Sequence, residues 1–169
     1  GGGGVYVGEK CSFTMHGGTI TGNTATNGNG GGIYIHFNAG SVSISNATIT
    51  GNKASATGNT SYGHGGGIYS QRGVTVKNVT ITGNNSTYEG GGIYGKGAIT
   101  LADATVTGNN RYDVYYDGEE KTTPELTVSG SVQAGYYANY DWKLPILVSG
   151  ALSKDSVIHV GVREGIKPN

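Results

Sequence analysis

A chain of 169 residues with 33 glycines, 12 tyrosines and only 3 prolines has the size of one domain. Its glycines lack the strict three-residue period of collagen, and its scarce prolines exclude a proline-rich linker. Eleven basic residues offset eleven acidic ones and 13% of the chain is charged, so no net field draws nucleic acid or anionic lipid toward it. The single cysteine, Cys11, excludes a disulfide-stapled scaffold, and no apolar run approaches the length of a membrane span.

From the N-terminus, the first element is announced by Gly2-Gly3-Gly4-Val5-Tyr6, a phrase that returns at Gly30 to Tyr34, Gly65 to Tyr69 and Gly90 to Tyr94, with a decayed copy at Val114-Tyr115. No signal peptide precedes it and the opening reads as the middle of a repeat, so the chain is expected to continue into a larger polypeptide. A second phrase, Thr-(Ile/Val)-Thr-Gly-Asn, follows each copy of the first: Thr19 to Asn23, Thr48 to Asn52, Thr80 to Asn84 and Thr105 to Asn109. Weaker echoes stand at Thr127 to Gly130 and Leu147 to Gly150. Counted on the glycine of this phrase, at 22, 51, 83, 108, 130 and 150, the period is that of one strand-turn-strand coil.

Within each repeat a finer alternation runs through Phe13, Met15 and Gly18, then Val42, Ile44 and Ala47, then Val74, Val76 and Val79, then Ile99, Leu101 and Ala104. Its phase shifts by one residue at His16-Gly17, Ser45-Asn46, Lys77-Asn78 and Ala102-Asp103, which marks a bend. Each repeat is therefore expected to hold three short strands: one at Ile-Tyr, one before the bend and one after it. Most of the length variation falls in Ala25 to Asn29, Lys53 to His64 and Asn85 to Glu89, rich in Ser, Thr, Asn and Gly and read as loops on one edge.

Repeats of this kind stack with each strand paired to its counterpart one repeat on, roughly 4.7–4.9 Å away. The expected fold is an all-β, right-handed parallel β-helix of about five to six coils, with a C-terminal cap. Residues 1–110 form the regular repeats, and 111–169 the degenerate last coils and the cap, marked by Tyr136, Tyr137, Tyr140, Trp142, Pro145 and Val157 to Val160. Stacking would align Val5, Ile33, Ile68 and Ile93 as an interior aliphatic column. It would align Asn23, Asn52, Asn84 and Asn109 as a corner ladder of hydrogen-bonded amides.

These phrases resemble the repeats of polymorphic outer-membrane-type and autotransporter-like adhesins, including large repeat-rich surface proteins of gut Gram-positive bacteria. The resemblance spans roughly residues 1–152. It departs from the family pattern where glycine replaces the alanine of Gly-Gly-Ala and where Phe-x-x-Asn is missing, since the only phenylalanines are Phe13 and Phe37. It implies an extracellular, cell-surface segment that contacts a host glycan or host surface protein, or that carries a binding tip away from the cell.

Parallel β-helices also include polysaccharide lyases and hydrolases, which need clustered carboxylates. Up to Asn110 the only acids are Glu9, Glu89 and Asp103, with Glu9 and Glu89 in loops of different repeats. Gly63-His64-Gly65 is a lone match to a polygalacturonase phrase. Asp113, Asp117, Glu119 and Glu120 read as a solvated loop. No catalytic residue, metal site or cofactor is therefore expected. The candidate binding residues are the tyrosines one step from the aliphatic column, Tyr6, Tyr34, Tyr69, Tyr94 and Tyr115, expected to face outward. Tyr62 and Tyr88 in the loops join them. A competing reading is an ice-binding face, from the paired columns Thr19, Thr48, Thr80, Thr105 and Thr21, Thr50, Thr82, Thr107.

Overall fold

The computed structural model describes residues 1–58, 61–118, 126–138 and 146–162. Glu119, Glu120, Tyr140, Trp142, Pro145 and the end of the expected cap lie outside them. The first repeat yields β1 (Val5–Val7), β2 (Phe13–Met15), β3 (Gly18–Thr21) and β4 (Thr24–Thr26), and the second β5 (Ile33–Ile35), β6 (Val42–Thr50) and β7 (Lys53–Ser55). The third yields β8 (Ile68–Ser70), β9 (Val74–Thr82) and β10 (Asn85–Ser86), and the fourth β11 (Ile93–Gly95), β12 (Ile99–Ala102) and β13 (Thr105–Thr107). The degenerate part adds β14 (Val114–Tyr116), β15 (Leu126–Gly130), β16 (Gln133–Ala138), β17 (Ile146–Leu152) and β18 (Val157–Val162). No helix occurs among the described residues.

Every strand pairing among the described residues is parallel and joins a residue to its counterpart in another repeat. Val5 lies beside Ile33, Ile33 beside Ile68, Ile68 beside Ile93 and Ile93 beside Val114. Ile20, Ile49, Ile81 and Val106 form a second column in the same way. The chain is thus all-β, with most strands in one large parallel sheet and a solenoid-like arrangement of repeats. Side chains of alternate residues meet inside, where Ile33, Ile44, Ile49, Ile68, Ile81, Ile93, Ile99, Leu101 and Val106 are fully buried in one continuous core.

The bends expected from the phase shift are carried by backbone in the left-handed region. Asn46, Asn78 and Asp103 have φ of 51°, 52° and 47°, a conformation that Asn and Asp tolerate better than other side chains. At the equivalent turn of the first repeat the next residue, Gly18, takes φ of 95°. In the two middle repeats the ladder continues through the bend, so the strands expected before and after it are the single elements β6 and β9.

The glycine triplets divide their task. The first residue takes positive φ, 68°, 67° and 66° at Gly30, Gly65 and Gly90. The second lies against the backbone of the neighbouring strand, so that a Cβ on Gly66 would stand 2.5 Å from the carbonyl oxygen of Asn85. The third abuts the next triplet, a Cβ on Gly32 lying 2.6 Å from the Gly67 carbonyl oxygen.

Two expectations need correction. The segments read wholly as loops each begin with a strand, β4, β7 and β10, which form a separate three-stranded parallel sheet. Ala25, Ala54 and Ser86 are its buried residues. The echoes at Thr127 and Leu147 are also in a different register from that expected. Thr127 and Val128 lie beside Thr100 and Leu101, before the bend, and Leu147 and Val148 continue that column. Gly130, with φ of 70°, occupies the bend beyond Asp103. Both corners of a repeat require left-handed backbone, so a strand followed by glycine fits either of them. The position after the bend belongs instead to Gln133-Ala134 in β16, which runs straight on to pair with β14.

Candidate functional site

Residues beside the aliphatic column point away from the core, and there Tyr6, Tyr34, Tyr69, Tyr94, Tyr115 and Tyr137 lie one above another on successive strands. Ring centroids are 5.3, 5.1, 5.1, 5.4 and 5.3 Å apart with interplanar angles of 13–23°, the offset stacking that aromatic quadrupoles favour. The column faces away from the core but is largely closed to solvent. Tyr69, Tyr94 and Tyr115 are only 4–6% exposed, Tyr34 is half-buried, and Tyr6 at one end is 56% exposed. The rings cover each other's faces, and neighbouring side chains cover much of the rest. The His64 ring lies 4.6 Å from that of Tyr94 and 5.6 Å from Tyr88, and Tyr112 packs on Tyr115 and Tyr137. Tyr62 is exposed outside the stack.

Above the middle of the stack is a groove of about 470 Å³ lined by Ser61, His64, Glu89, Lys96 and Asp117, with Tyr69, Tyr94 and Tyr115 as its floor. One wall comes from the residues that precede the glycine triplets. The carbonyl of His64 accepts from the Gly30 N–H at 3.0 Å, and that of Glu89 from the Gly65 N–H at 3.1 Å. The other wall comes from the residues two places after each tyrosine. The Lys96 N–H donates to Ser70 O and the Asp117 N–H to Gly95 O, both at 2.8 Å. Backbone ladders therefore fix both walls. Within the second wall and the floor below it, the Tyr94 hydroxyl donates to the Asp117 carboxylate, and Lys96 Nζ is 3.8 Å from the same carboxylate. The Glu89 N–H donates to His64 Nδ1 at 3.3 Å.

Burial raises the Tyr69 phenol to about 12; Tyr34 and Asp117 add repulsion, and a hydrogen bond with Gln71 opposes it. The phenols of Tyr94 and Tyr115 are also held well above their ordinary value, first by burial. For Tyr94 the bond to Asp117 comes next, and for Tyr115 the charge of Asp117. These hydroxyls remain protonated at neutral pH, and that of Tyr94 donates to Asp117. Glu89, placed alone by the sequence reading, shares this groove with Asp117, and the charges of both act on Tyr115.

Four asparagines and one aspartate form a hydrogen-bonded column at a corner of the repeats. Nδ2 of Asn23, Asn52 and Asn84 each donates to Oδ1 of the next at 3.0 Å, and the backbone N–H of each donates to that same oxygen. Asn109 passes the pattern to the Asp113 carboxylate at 3.0 Å. A carboxylate only accepts, so Asp113 sets one direction for every amide in the column. Asp113 and Asp117 thus have separate partners. The two threonine columns are in register across β3, β6, β9 and β13, exposed or half-buried on the outer face. Among the described residues no three His, Cys, Asp or Glu side chains group as a metal site would require.

No protein-family model matches this chain, and neither a curated protein nor a solved structure matches it.

Proposed function

We propose that the chain is a non-catalytic segment of a bacterial cell-surface adhesin of the polymorphic outer-membrane or autotransporter-like kind. In this reading it is a right-handed parallel β-helix of about five to six coils, with three core strands per coil and a C-terminal cap, continuous with a larger extracellular polypeptide. The helix is a stiff scaffold, and the face over the tyrosine stack meets a host glycan or host surface protein. The observation that carries the reading is the polar groove built on that stack. Its walls project from consecutive rungs, so a ligand would meet side chains already held in place. Neutral overall charge suits recognition by hydrogen bonds and shape rather than by a long-range field.

The test is a screen of the purified chain against arrayed host glycans and host surface proteins. Saturable capture of one class supports the adhesin reading. Release of unsaturated or reducing ends from pectin or host glycans would overturn it in favour of a polysaccharide-active enzyme.

A second reading, ice binding, is favoured by the registered threonine columns, whose spacing of roughly 4.7–4.9 Å across strands is regular over four rungs. Thermal hysteresis that disappears in Thr50→Tyr, with the β circular-dichroism spectrum kept, would support it. A wild-type chain without hysteresis removes it.

A further inference from the structure

We infer that the groove over the tyrosine stack is a site for an uncharged saccharide, gripped through its hydroxyls by the Glu89 and Asp117 carboxylates and Lys96 rather than by stacking on an aromatic ring. This rests on the adhesin reading and names the ligand class of its contact face. Aromatic platforms hold sugars by offering a ring face. Here each ring in the groove floor has a tyrosine on both sides at 5.1–5.4 Å, so the floor offers edges and hydroxyls only. Recognition must come from the polar walls.

Those walls supply the mixed set that a polyol needs. The Glu89 carboxylate accepts and has two oxygens for adjacent hydroxyls, and that of Asp117 accepts beside the bond it already takes from Tyr94. Lys96 donates and is 43% exposed even while it faces Asp117. His64 accepts the Glu89 N–H on Nδ1 and so holds that wall in place. The buried phenols of the floor stay protonated. Among the described lining residues two carboxylates stand against one ammonium, which repels an acidic sugar, and Lys96 already occupies the position beside Asp117 that an amine ligand would take. The volume, about 470 Å³, lies within the range of small-molecule sites and suits one or two sugar rings.

The geometry is also pre-set. Glu89 and Asp117 reach the groove from opposite ends of the tyrosine strands, each held by a backbone hydrogen bond to the neighbouring repeat. A ligand therefore orders little chain on binding, and the energy of each hydroxyl contact is kept for affinity.

Titration calorimetry with neutral galactose-, glucose- and mannose-terminated disaccharides, a sialylated sugar and a protonated amino sugar tests this on the intact chain. Variants are Glu89→Gln alone, Glu89→Gln with Asp117→Asn, and Tyr6→Ser. Glu89→Gln is chosen because the backbone of residue 89, not its carboxylate, pairs with the neighbouring repeat. The inference expects binding of a neutral disaccharide, a loss of at least tenfold in Glu89→Gln with unchanged circular dichroism, a larger loss in the double variant, and no change in Tyr6→Ser. Binding that survives both groove variants but fails in Tyr6→Ser places the sugar on the exposed end of the stack. That result overturns the groove and leaves the adhesin reading standing. Preference for the sialylated or amino sugar overturns the ligand class. No sugar bound by the wild type overturns the inference and the glycan half of the reading together.

Discussion

At the scale of single residues, the corner of each repeat makes the sharpest claims. Gly66 does not have positive φ; it is glycine because the strand beside it leaves no room, with Asn85 and Gly91 backbone atoms 2.5–2.6 Å from where a Cβ would sit. Gly22 has φ of 68° and nothing within 4 Å. Gly66→Ala is therefore expected to destabilise the chain by about 3 kcal/mol, through displaced backbone. Gly22→Ala should cost about 1 kcal/mol, the left-handed penalty alone. Urea unfolding of the two variants separates crowding from torsion, and equal losses would refute the assignment. Asn84 is buried, and its Oδ1 accepts both the backbone N–H and the side-chain amide of Asn52. Asn84→Ala leaves that N–H without its acceptor and removes the amide that donates to the Ile49 carbonyl. A loss of about 2–4 kcal/mol is expected in the same assay.

At the scale of elements, the strands were legible because β structure writes a period of two into the chain, and the phase shift at Asn46, Asn78 and Asp103 located the bends correctly. The register of the echoes was not legible, since glycine at either corner satisfies the same torsion. The short sheet of β4, β7 and β10 was hidden because its strands are two or three residues of Thr, Lys, Ala, Asn and Ser, too few for periodicity to emerge. For the groove, the floor was readable and its walls were half so. The residue before each triplet gives Asn29, His64 and Glu89, and the residue two after each tyrosine gives His36, Gln71, Lys96 and Asp117. These are columns in the sequence, but only three-dimensional stacking reveals that they flank one trough. That the rings would bury each other follows from strand spacing. That nearby loops would close over them does not.

The stack also has a pH signature. A phenol whose folded pKa lies above its unfolded value of about 10 is protonated in both states below that pH and contributes no pH dependence there. Above pH 10 the unfolded chain ionises first and binds fewer protons than the folded one, so stability falls as pH rises toward about 12, the folded value for Tyr69. Ultraviolet titration should show the Tyr69, Tyr94 and Tyr115 phenols ionising above the ordinary range, and thermal midpoints declining between pH 10 and 12. A single titration of all tyrosines near pH 10 without loss of structure would contradict the buried stack.

At the scale of the whole molecule, stability accumulates from neighbour to neighbour, because each repeat buries its apolar residues chiefly against the repeats on either side. The ends of the described residues show what that implies. Phe13 and Met15 are half-buried, and Val148 and Val160 are 51% and 57% exposed, although equivalent positions in the middle repeats are sealed. The middle repeats, where the groove lies, are packed on both sides, and a site built there is held by both neighbours.

All of this depends on each repeat lying beside the next in parallel register. The most direct measurement is a methyl–methyl nuclear Overhauser spectrum of the chain labelled at isoleucine. The account predicts cross-peaks from Ile33 to Ile68 and Ile68 to Ile93 in one column, and from Ile20 to Ile49 and Ile49 to Ile81 in another. Their absence, with contacts instead between strands adjacent in sequence as in antiparallel hairpins, would contradict the stacked repeats and with them the groove.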